Sequence, residues 1–521
     1  MSDLGRGPGS LIVNGRTESF VSVLERSAAI AERLAREVGL QPGDRLVVAL
    51  ENSREHIELV VAAWRLGLQF VAVAPTTSGP TFAGIVESVS PQAVVVDQGN
   101  ERLNRVVRGW ARAISSWDGP SPDSILMVGR GRPTEQHSRP QRPDHLAGDW
   151  GAWLAYLPPA VFYTSGSTST AKGVPLLWPR ILDKASVVLS FYDVKPGDRV
   201  MPILPLSHVY GLYCLMGALA LGADCITFRE SASPAVLARG LVEHAATVVI
   251  CPPLVGAFLF GRHGVEPAVR DRLRVLTMGG AATSVEQAQR ILSALPRTRV
   301  FLSYGLAETY STISCNEVST AGSDLASVGP LRFGAFGEAR DPTSGQPVGL
   351  GETGELCVGG TIMHGYVDAH VDGFTADGLF RTGDLVQFDH AGAIRITGRI
   401  KEMINAGGLS ISPSEIEETL KQHPAVVDCG VFGEQAGGLE VTCAAVVLRE
   451  LRRESGEARL LDELFDHCRT HLAAKMVPRR IVTVTEIPRG ALGKIARAEL
   501  RALCVRAPRS SVQDLRVRSE T

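Results

Sequence analysis

The sequence predicts an α/β fold, with a large N-terminal domain made of two doubly wound αβ sublobes and a small β-barrel-like sublobe, and a smaller α+β C-terminal domain. At 521 residues the chain is too long for one hydrophobic core, which indicates more than one domain. Strand-like apolar runs alternate with helical patterns over most of its length, as in parallel sheets. Short strands with glycine-rich turns replace that pattern after about residue 312.

The first predicted elements follow a βαβ order. A strand-like run is followed by residues 53–66, where apolar residues recur at helical spacing, and then by the next strand-like run. The order returns after residue 200, so we expect one doubly wound sublobe before that point and one after it. The predicted strands are Leu46–Leu50, Phe70–Ala74, Ala93–Asp97, Met201–Leu206, Cys225–Phe228, Thr247–Cys251, Val275–Met278 and Val300–Tyr304.

Two stretches of the large domain differ from this pattern. Residues 119–149 are rich in Pro, Arg, Gly and Ser, which predicts a surface connection with no assignable function. Residues 209–223 form the longest apolar stretch, but it is short for a membrane span and is interrupted by Gly211 and Gly217. We expect a buried helix there and no membrane span.

The last third of the chain predicts a further domain and a tail. Ser412 supplies an N-cap, Pro413 the first helical position and Glu415 the residue three after the cap, which is typical of a helix start. We therefore predict an N-terminal domain over 1–399 and a C-terminal domain over 400–505. Residues 506–521 have no periodic apolar face and are expected to be frayed.

Composition limits the functional classes. Hydrophobic residues make up 45%, charged residues 21%, and the net charge is -2, so no basic excess indicates a nucleic-acid partner. The nine cysteines are scattered and never spaced C-x-x-C, which argues against zinc and disulfide frameworks. The N-terminus lacks the layout of a signal peptide. These features predict a cytoplasmic protein.

The run from Tyr163 to Val174 predicts a phosphate-binding loop. It places small hydroxyl residues, a glycine and Lys172 directly after an apolar strand. The Walker signature has a glycine immediately before its lysine, whereas Ala171 stands there in this chain and Gly173 follows the lysine. Taken alone, such a run also fits a plain solvated loop.

Four later segments decide between these two interpretations of the run. In chain order they are Tyr304–Thr309, Arg381–Leu385, Gly398–Ile404 and Pro488–Lys494. Together with the first run, over nearly the whole chain, they resemble the core motifs of the adenylate-forming (ANL) superfamily, which includes acyl-CoA synthetases, the adenylation domains of peptide synthetases and luciferases. The resemblance implies ATP and Mg²⁺ as cofactors, and a mobile C-terminal domain.

The resemblance also implies an ATP site. Hydroxyl, glycine and lysine groups of the first run would bind the β- and γ-phosphates: Thr164, Ser165, Gly166, Ser167, Thr168 and Lys172. The adenine and α-phosphate would be bordered by Gly279, Gly280, Ala281, Tyr304, Gly305 and Thr309. The metal and the ribose hydroxyls would be held by Glu308 and by Asp384 and Arg399, respectively.

Three residues carry the catalysis that the resemblance implies. Lys494 matches the lysine that bridges the carboxylate and the α-phosphate, Lys172 neutralises the outgoing phosphates, and His208 lies beside the carboxylate. Lys401 matches the hinge about which the family rotates its small domain between the two half-reactions. Ser169 and Ala171 depart from the usual glycine and proline of the first run, which predicts altered diphosphate release rather than loss of function.

The acid substrate is narrowed by the predicted pocket residues, which are His208, Val209, Gly279 and Gly305. Relatives that activate amino acids carry an aspartate where this chain has Val209, and a valine cannot pair with an α-ammonium group. We therefore expect an aryl or aliphatic acid without an α-amino group.

The sequence defines the acyl acceptor less closely than the acid. Residues 405–417 resemble the segment that admits a pantetheine thiol past its glycines, Gly407 and Gly408. This favours coenzyme A, but a carrier-protein pantetheine or an amine is accepted through the same segment by other members. An oxidising, luciferase-like second step is a further possibility within the superfamily. A non-catalytic nucleotide-binding protein of the same fold is the alternative from another class, and the intact charged motif residues argue against it.

Overall fold

The computed structural model describes residues 9–110, 113–117, 125–129, 155–164, 171–261, 265–320, 322–367, 373–406, 409–436, 439–449, 457–490, 493–506 and 512–514. Contacts divide the chain into two compact units, the first made of residues 1–336 and 359–374 and the second of residues 337–358 and 375–521. The predicted α/β class, with a large N-terminal part and a smaller C-terminal part, is confirmed. The predicted boundary at residue 399 stays a prediction.

The first unit is built on two large sheets. Its strands are β1 (Ser10–Val13), β2 (Arg16–Ser19), β3 (Arg45–Ala49), β4 (Gln69–Ala72), β5 (Ala93–Asp97), β6 (Ala113–Trp117), β7 (Ile125–Gly129), β8 (Ala160–Thr164), β9 (Lys172–Leu176), β10 (Arg199–Pro202), β11 (Asp224–Thr227), β12 (Val248–Cys251), β13 (Val275–Met278), β14 (Arg299–Leu306), β15 (Ser311–Val318) and β16 (Ser327–Pro330). One sheet has the order β6-β7-β5-β3-β4-β8-β9 and the other the order β15-β14-β13-β12-β10-β11-β1-β2. Parallel pairings in both sheets confirm the predicted βαβ order.

Helices connect these strands. They are α1 (Phe20–Arg36), α2 (Arg54–Leu66), α3 (Gly79–Val89), α4 (Glu101–Trp110), α5 (Trp178–Phe191), α6 (Val209–Ala220), α7 (Pro234–Glu243), α8 (Pro253–Gly261), α9 (Pro267–Arg272) and α10 (Val285–Ala294). Serine N-caps begin several of them; at α2 the Ser53 hydroxyl accepts a hydrogen bond from the His56 amide. The apolar stretch after residue 208 is the buried helix α6, and no helix within the described ranges is long and apolar enough to cross a membrane.

The second unit contains an antiparallel sheet and a layered α+β part. Its strands are β17 (Ala335–Arg340), β18 (Gly354–Gly360), β19 (Phe380–Phe388), β20 (Ala393–Arg399), β21 (Ile404–Ala406), β22 (Leu409–Ile411), β23 (Val426–Ala436), β24 (Leu439–Leu448), β25 (Arg480–Thr483) and β26 (Val512–Asp514). Its helices are α11 (Pro413–Gln422), α12 (Glu457–His471) and α13 (Arg497–Val505). Strands β20, β19, β18 and β17 pair in a row and form the predicted small β sublobe.

The C-terminal sheet has a helix layer on each face. Its order is β23-β24-β25-β26. Ile416 of α11 and Phe465 of α12 pack in one apolar cluster with Val431, whereas Leu500 of α13 packs with Phe432 in another. Because successive residues of β23 point to opposite faces, one strand serves both clusters.

Three expectations about local structure need correction. The predicted surface connection over 119–149 includes strand β7, which pairs with both β5 and β6. The predicted frayed tail includes β26, which pairs antiparallel with β25. At α11 the Ser412 hydroxyl donates to the Thr397 carbonyl oxygen at 3.0 Å and makes no capping hydrogen bond, because a strand passes close to this helix start.

Candidate functional site

The predicted phosphate-binding run lies between two paired strands. Strands β8 and β9 are antiparallel, with Thr164 opposite Lys172. Lys172 is the first residue of β9, so pairing with β8 fixes the position of its backbone. The strand places Thr164, whereas the predicted contacts Ser165, Gly166, Ser167 and Thr168 lie outside the described residues.

Glu308 and Lys172 meet at the same tyrosine. Glu308 is 8% exposed and belongs to a 3₁₀ turn, Ala307–Thr309, that directly follows β14. The hydroxyl of Tyr366 donates to Glu308 Oε1 at 2.9 Å, and the Lys172 ammonium nitrogen lies 4.6 Å from the centroid of the Tyr366 ring. Sequence reasoning missed Tyr366, because a lone tyrosine after a glycine carries no signal of a partner 58 residues away.

The surroundings of Glu308 fit a magnesium ion. Mg²⁺ in phosphate-transfer sites is held by one or two carboxylates, by waters and by the substrate's own phosphates. Within the described residues no group of three or more His, Cys, Asp or Glu side chains forms a complete metal cage. A single buried carboxylate is what a protein contributes to a metal that is bound together with a nucleotide, and it suits no structural metal.

Thr309 and Gly305 support the turn that carries Glu308. Thr309 is fully buried, and its hydroxyl accepts from the Leu306 amide at 3.1 Å and donates to the Ser311 carbonyl oxygen at 2.8 Å. A Cβ added at Gly305 would lie 1.9 Å from the Ser311 carbonyl oxygen, so only glycine fits there. Both residues thus have a structural role in the turn, and their predicted ligand contacts, like that of Tyr304 at the end of β14, stay predictions.

The segment after β13 lies against the start of α6. Gly279 follows Met278 of β13, and a Cβ added at Gly279 would lie 2.4 Å from Ser303 Oγ and 2.9 Å from the Tyr210 hydroxyl. Those two hydroxyls are 3.3 Å apart and buried. Burial raises the pKa of Tyr210 well above its ordinary value, so the phenol stays protonated. Gly280 and Ala281 continue from Gly279, so the structure brings the predicted adenine and pocket segments together with α6.

His208 and Val209 begin α6. His208 is the N-cap, and its Nδ1 accepts a hydrogen bond from the Tyr210 amide at 3.2 Å. In the neutral ring the proton is therefore on Nε2, which makes that nitrogen a hydrogen-bond donor, as a residue beside a carboxylate requires. Val209 is 1% exposed, so a charged side chain at this position would have to be buried.

In the second unit, the two predicted ribose contacts are paired with each other. Asp384 on β19 stands opposite Arg399 on β20, and the guanidinium Nε lies 2.8 Å from Asp384 Oδ1. The Asp384 amide also donates to the Thr382 hydroxyl at 3.1 Å. Arg399 thus orients the carboxylate, and the second carboxylate oxygen, Oδ2, is chemically able to accept a hydrogen bond from a hydroxyl.

Lys494 lies on a braced loop. Arg489 donates to both carboxylate oxygens of Asp428 at 2.8 and 2.9 Å and to the Gly493 carbonyl oxygen at 2.7 Å. The Gly490 amide donates to the Lys494 carbonyl oxygen at 2.8 Å. The Lys494 side chain is exposed, so the backbone that carries it is fixed while the side chain reaches solvent.

The remaining predicted residues are placed as follows. Lys401 is exposed in a 3₁₀ turn, Ile400–Glu402, that follows β20 directly. The predicted thiol-tunnel residues Gly407 and Gly408 lie outside the described residues, between β21 and β22, which pair with Ala406 opposite Leu409. The hinge and tunnel roles stay predictions.

Two family profiles match most of the chain. The profile described as AMP-binding enzyme matches residues 6–367, and the profile described as AMP-binding enzyme C-terminal domain matches residues 415–494. The chain is 32% identical over 351 residues to the sulfoacetate–CoA ligase of Cupriavidus necator, a match that spans 66% of this chain and 66% of that ligase. It is 28% identical over 531 residues to the long-chain-fatty-acid–CoA ligase of Salmonella typhimurium, which covers 94% of this chain and 90% of the relative.

The fold is shared with solved structures. ATP-bound MatB from Rhodopseudomonas palustris superposes with a TM-score of 0.79 at 23% identity, over 96% of this chain and 97% of that one. At this level of identity the likeness concerns the fold.

Proposed function

Because the chain belongs to the AMP-binding enzyme family, within the adenylate-forming superfamily of AMP-forming acid ligases, we propose that it activates a carboxylic acid with ATP. The products of this step are an acyl adenylate and diphosphate. In the second step the thiol of coenzyme A attacks the acyl carbon, forms the thioester and releases AMP. The meeting of Lys172 and Glu308 at Tyr366 is the observation that carries the proposal, since a cation and a buried carboxylate held together fit a metal–triphosphate complex.

The residues divide the work of the first step. A carboxylate oxygen attacks the α-phosphorus of ATP, and the bond to the bridging oxygen of diphosphate breaks. Mg²⁺, when bound at Glu308, would supply positive charge for the phosphates. Lys172 neutralises the departing diphosphate, and Lys494 offsets the charge that builds up as two anions meet. His208 Nε2–H donates to the attacking acid and orients it.

Asp384 and Arg399 would bind the nucleotide rather than take part in bond breaking. The ion pair between them fixes the carboxylate, whose remaining lone pairs accept hydrogen bonds from the two ribose hydroxyls. A triphosphate without its nucleoside would lose these contacts.

The acid is proposed to lack an α-amino group. Burial of Val209 at the start of α6 leaves an α-ammonium group without a counter-charge at this point, and an uncompensated buried charge costs several kcal/mol. An aryl or aliphatic carboxylate meets no such penalty.

Coenzyme A is the acceptor that the named relatives favour. The Cupriavidus and Salmonella proteins are both CoA ligases by name. A carrier-protein pantetheine and an amine are the alternative acceptors, and a non-catalytic nucleotide-binding protein is the alternative from another class.

A reducing compartment, the cytoplasm, is proposed from the cysteines. All nine are unpaired and buried. Burial raises the pKa of the Cys251 and Cys468 thiols to about 12, so these cysteines are not poised for oxidation.

The test is carboxylate-dependent diphosphate release with ATP and Mg²⁺, with and without coenzyme A. The panel pairs acids that differ only in an α-ammonium group, such as 3-phenylpropanoate with phenylalanine and butanoate with 2-aminobutanoate. We expect multiple turnovers only with coenzyme A and only with the unaminated member of a pair. One diphosphate per enzyme, unchanged by coenzyme A, would favour a carrier protein or an amine. ATP binding without any acid-dependent release would favour the non-catalytic alternative.

A further inference from the structure

A short segment of the first unit connects the two charged residues of the candidate ATP site. The Met363 amide donates to the Glu308 carbonyl oxygen at 2.7 Å, and the Val367 amide donates to the Gly173 carbonyl oxygen at 2.9 Å. One end of the segment is therefore tied to the turn that carries Glu308, and the other to the strand that carries Lys172. Because both ties are made by the backbone, they persist when a side chain in the segment is changed.

Tyr366 lies within this segment and contacts both charges through different parts of its side chain. Its hydroxyl must be the donor to Glu308 Oε1, because an ionised carboxylate only accepts. Its ring face, which carries negative electrostatic potential, receives the Lys172 ammonium group at 4.6 Å from the centroid. The carboxylate and the ammonium group are thus each held by the tyrosine.

We propose that Tyr366 is a positioning residue for the reaction with ATP, one that orients Glu308 as the magnesium ligand and holds Lys172 in place before the nucleotide binds. The hydroxyl occupies one oxygen of Glu308 and directs the carboxylate. Outer partners of this kind set the orientation of metal-binding carboxylates, and their loss typically weakens metal binding by about 10–100-fold. This inference rests on the proposed function, since it presupposes that the protein binds ATP with Mg²⁺.

The test compares nucleotide binding with and without the metal. Isothermal titration would measure the affinity for ATP in saturating Mg²⁺ and in EDTA, for the wild type, Tyr366→Phe and Tyr366→Leu. Tyr366→Phe keeps the ring and removes only the hydroxyl, so we expect affinity in Mg²⁺ to fall about tenfold and affinity in EDTA to change less than about twofold. Tyr156→Phe removes the hydroxyl of a tyrosine that is 54% exposed and serves as the matched control.

The leucine variant tests the ring itself. Without the ring, the ammonium and carboxylate groups are left to approach each other directly, so we expect ATP binding to weaken in EDTA as well, by several-fold.

The magnesium concentration for half-maximal diphosphate release should rise about tenfold in Tyr366→Phe, with a smaller fall in kcat.

Two outcomes would overturn the inference, and they are distinguishable from failure of the proposed function. Equal affinity of wild type and Tyr366→Phe for ATP in Mg²⁺ would refute it alone. So would an equal loss with and without Mg²⁺ accompanied by a lower melting temperature, which would mean that the hydroxyl only stabilises the fold. A wild-type protein that binds no ATP under either condition would refute the proposed function and the inference with it.

Discussion

The candidate ATP site of the first unit holds its charged residues differently from the ion pairs of the second unit. In the first unit, Lys172 and Glu308 are connected through an uncharged side chain, Tyr366. In the second unit, charges pair directly, as in Asp384 with Arg399 and in Arg497 with Glu402 and Glu417. A directly paired carboxylate is rigid, whereas one held by a neutral donor keeps its full charge for an incoming cation. The difference separates Glu308, which is proposed to receive a metal, from Asp384 and Glu417, whose positions are fixed by their arginine partners.

Lys494 is the residue for which this comparison predicts the largest effect, because its loop is braced while its side chain is exposed. Lys494→Ala should slow acyl-adenylate formation about 10³-fold, as expected when a charge that acts in the transition state is removed. Thioester formation from supplied acyl adenylate should stay nearly intact. Single-turnover assays of each half-reaction would measure this, with Lys475→Ala, also exposed, as the control. Equal loss in both half-reactions would contradict the assignment.

Arg497 tests the direct pairings of the second unit. Its Nη1 donates to Glu417 Oε1 and to the Val431 carbonyl oxygen, both at 2.5 Å, and its Nε donates to Glu402 Oε2 at 3.0 Å. Arg497→Met leaves the Glu417 carboxylate buried without its cation, so unfolding of this unit should become easier by about 3 kcal/mol.

Urea unfolding of Arg497→Met, followed by limited proteolysis to identify which unit opens, would measure this effect. Arg501→Met, in the next turn of α13 and exposed, is the control. An unchanged urea midpoint would mean that the pairings are replaced by solvent at little cost.

Asp384 should show a smaller effect, confined to the nucleoside. Asp384→Asn weakens the acceptor for the ribose hydroxyls, so affinity for ATP should fall about tenfold, in line with the loss of a charged hydrogen-bond partner. Affinity for inorganic triphosphate, which has no ribose, should not change. Competition binding with both ligands checks this, with the exposed Asp462→Asn as the control. A parallel loss for both ligands would point to a general electrostatic role.

The last predicted effect concerns the pH dependence of stability, through a carboxylate that lacks the pairing found at Glu417. Among the described residues, both carboxylate oxygens of Glu230 are buried without a hydrogen-bond partner. Burial, followed by the nearby charges of Glu51 and Asp97, raises the pKa of Glu230 to about 8. The folded protein therefore keeps this proton after the unfolded chain has lost it, and stability falls as the pH rises from about 4.5 to about 8.

Glu230→Gln should remove that part of the pH dependence. Urea midpoints at pH 5 and pH 8 for the wild type, the variant and the exposed control Glu25→Gln would show it. The difference between the two pH values should shrink in Glu230→Gln alone; an unchanged difference would mean that water reaches the carboxylate.

Sequence patterns predicted the sheets well because burial is a local property of a strand. The strands Ala93–Asp97 and Val275–Met278 have the predicted bounds, and the others shift by a few residues. Strand β7 was missed because it lies in a segment of loop-like composition and pairs with β5, a partner about 30 residues earlier in the chain. Composition indicates which residues of a segment are buried, but it does not indicate which strand the segment pairs with.

The site was predicted residue by residue, but its internal connections were not. The sequence names Glu308 and Lys172, yet nothing in it indicates that one tyrosine contacts both. Likewise it names Asp384 and Arg399 as separate ribose contacts, and the structure adds that they are cross-strand partners. Contacts between distant segments depend on the geometry of the fold, which residue type and spacing do not contain.

The burial of every cysteine has a practical consequence. Maleimide dyes react with exposed thiolates, so the native protein should offer them little background. A single cysteine introduced at an exposed position such as Glu25 or Lys475 would then be the one site of rapid labelling. Two such positions could carry a donor and an acceptor fluorophore, and the protein's own motions during turnover could be followed one molecule at a time without first stripping it of its native thiols.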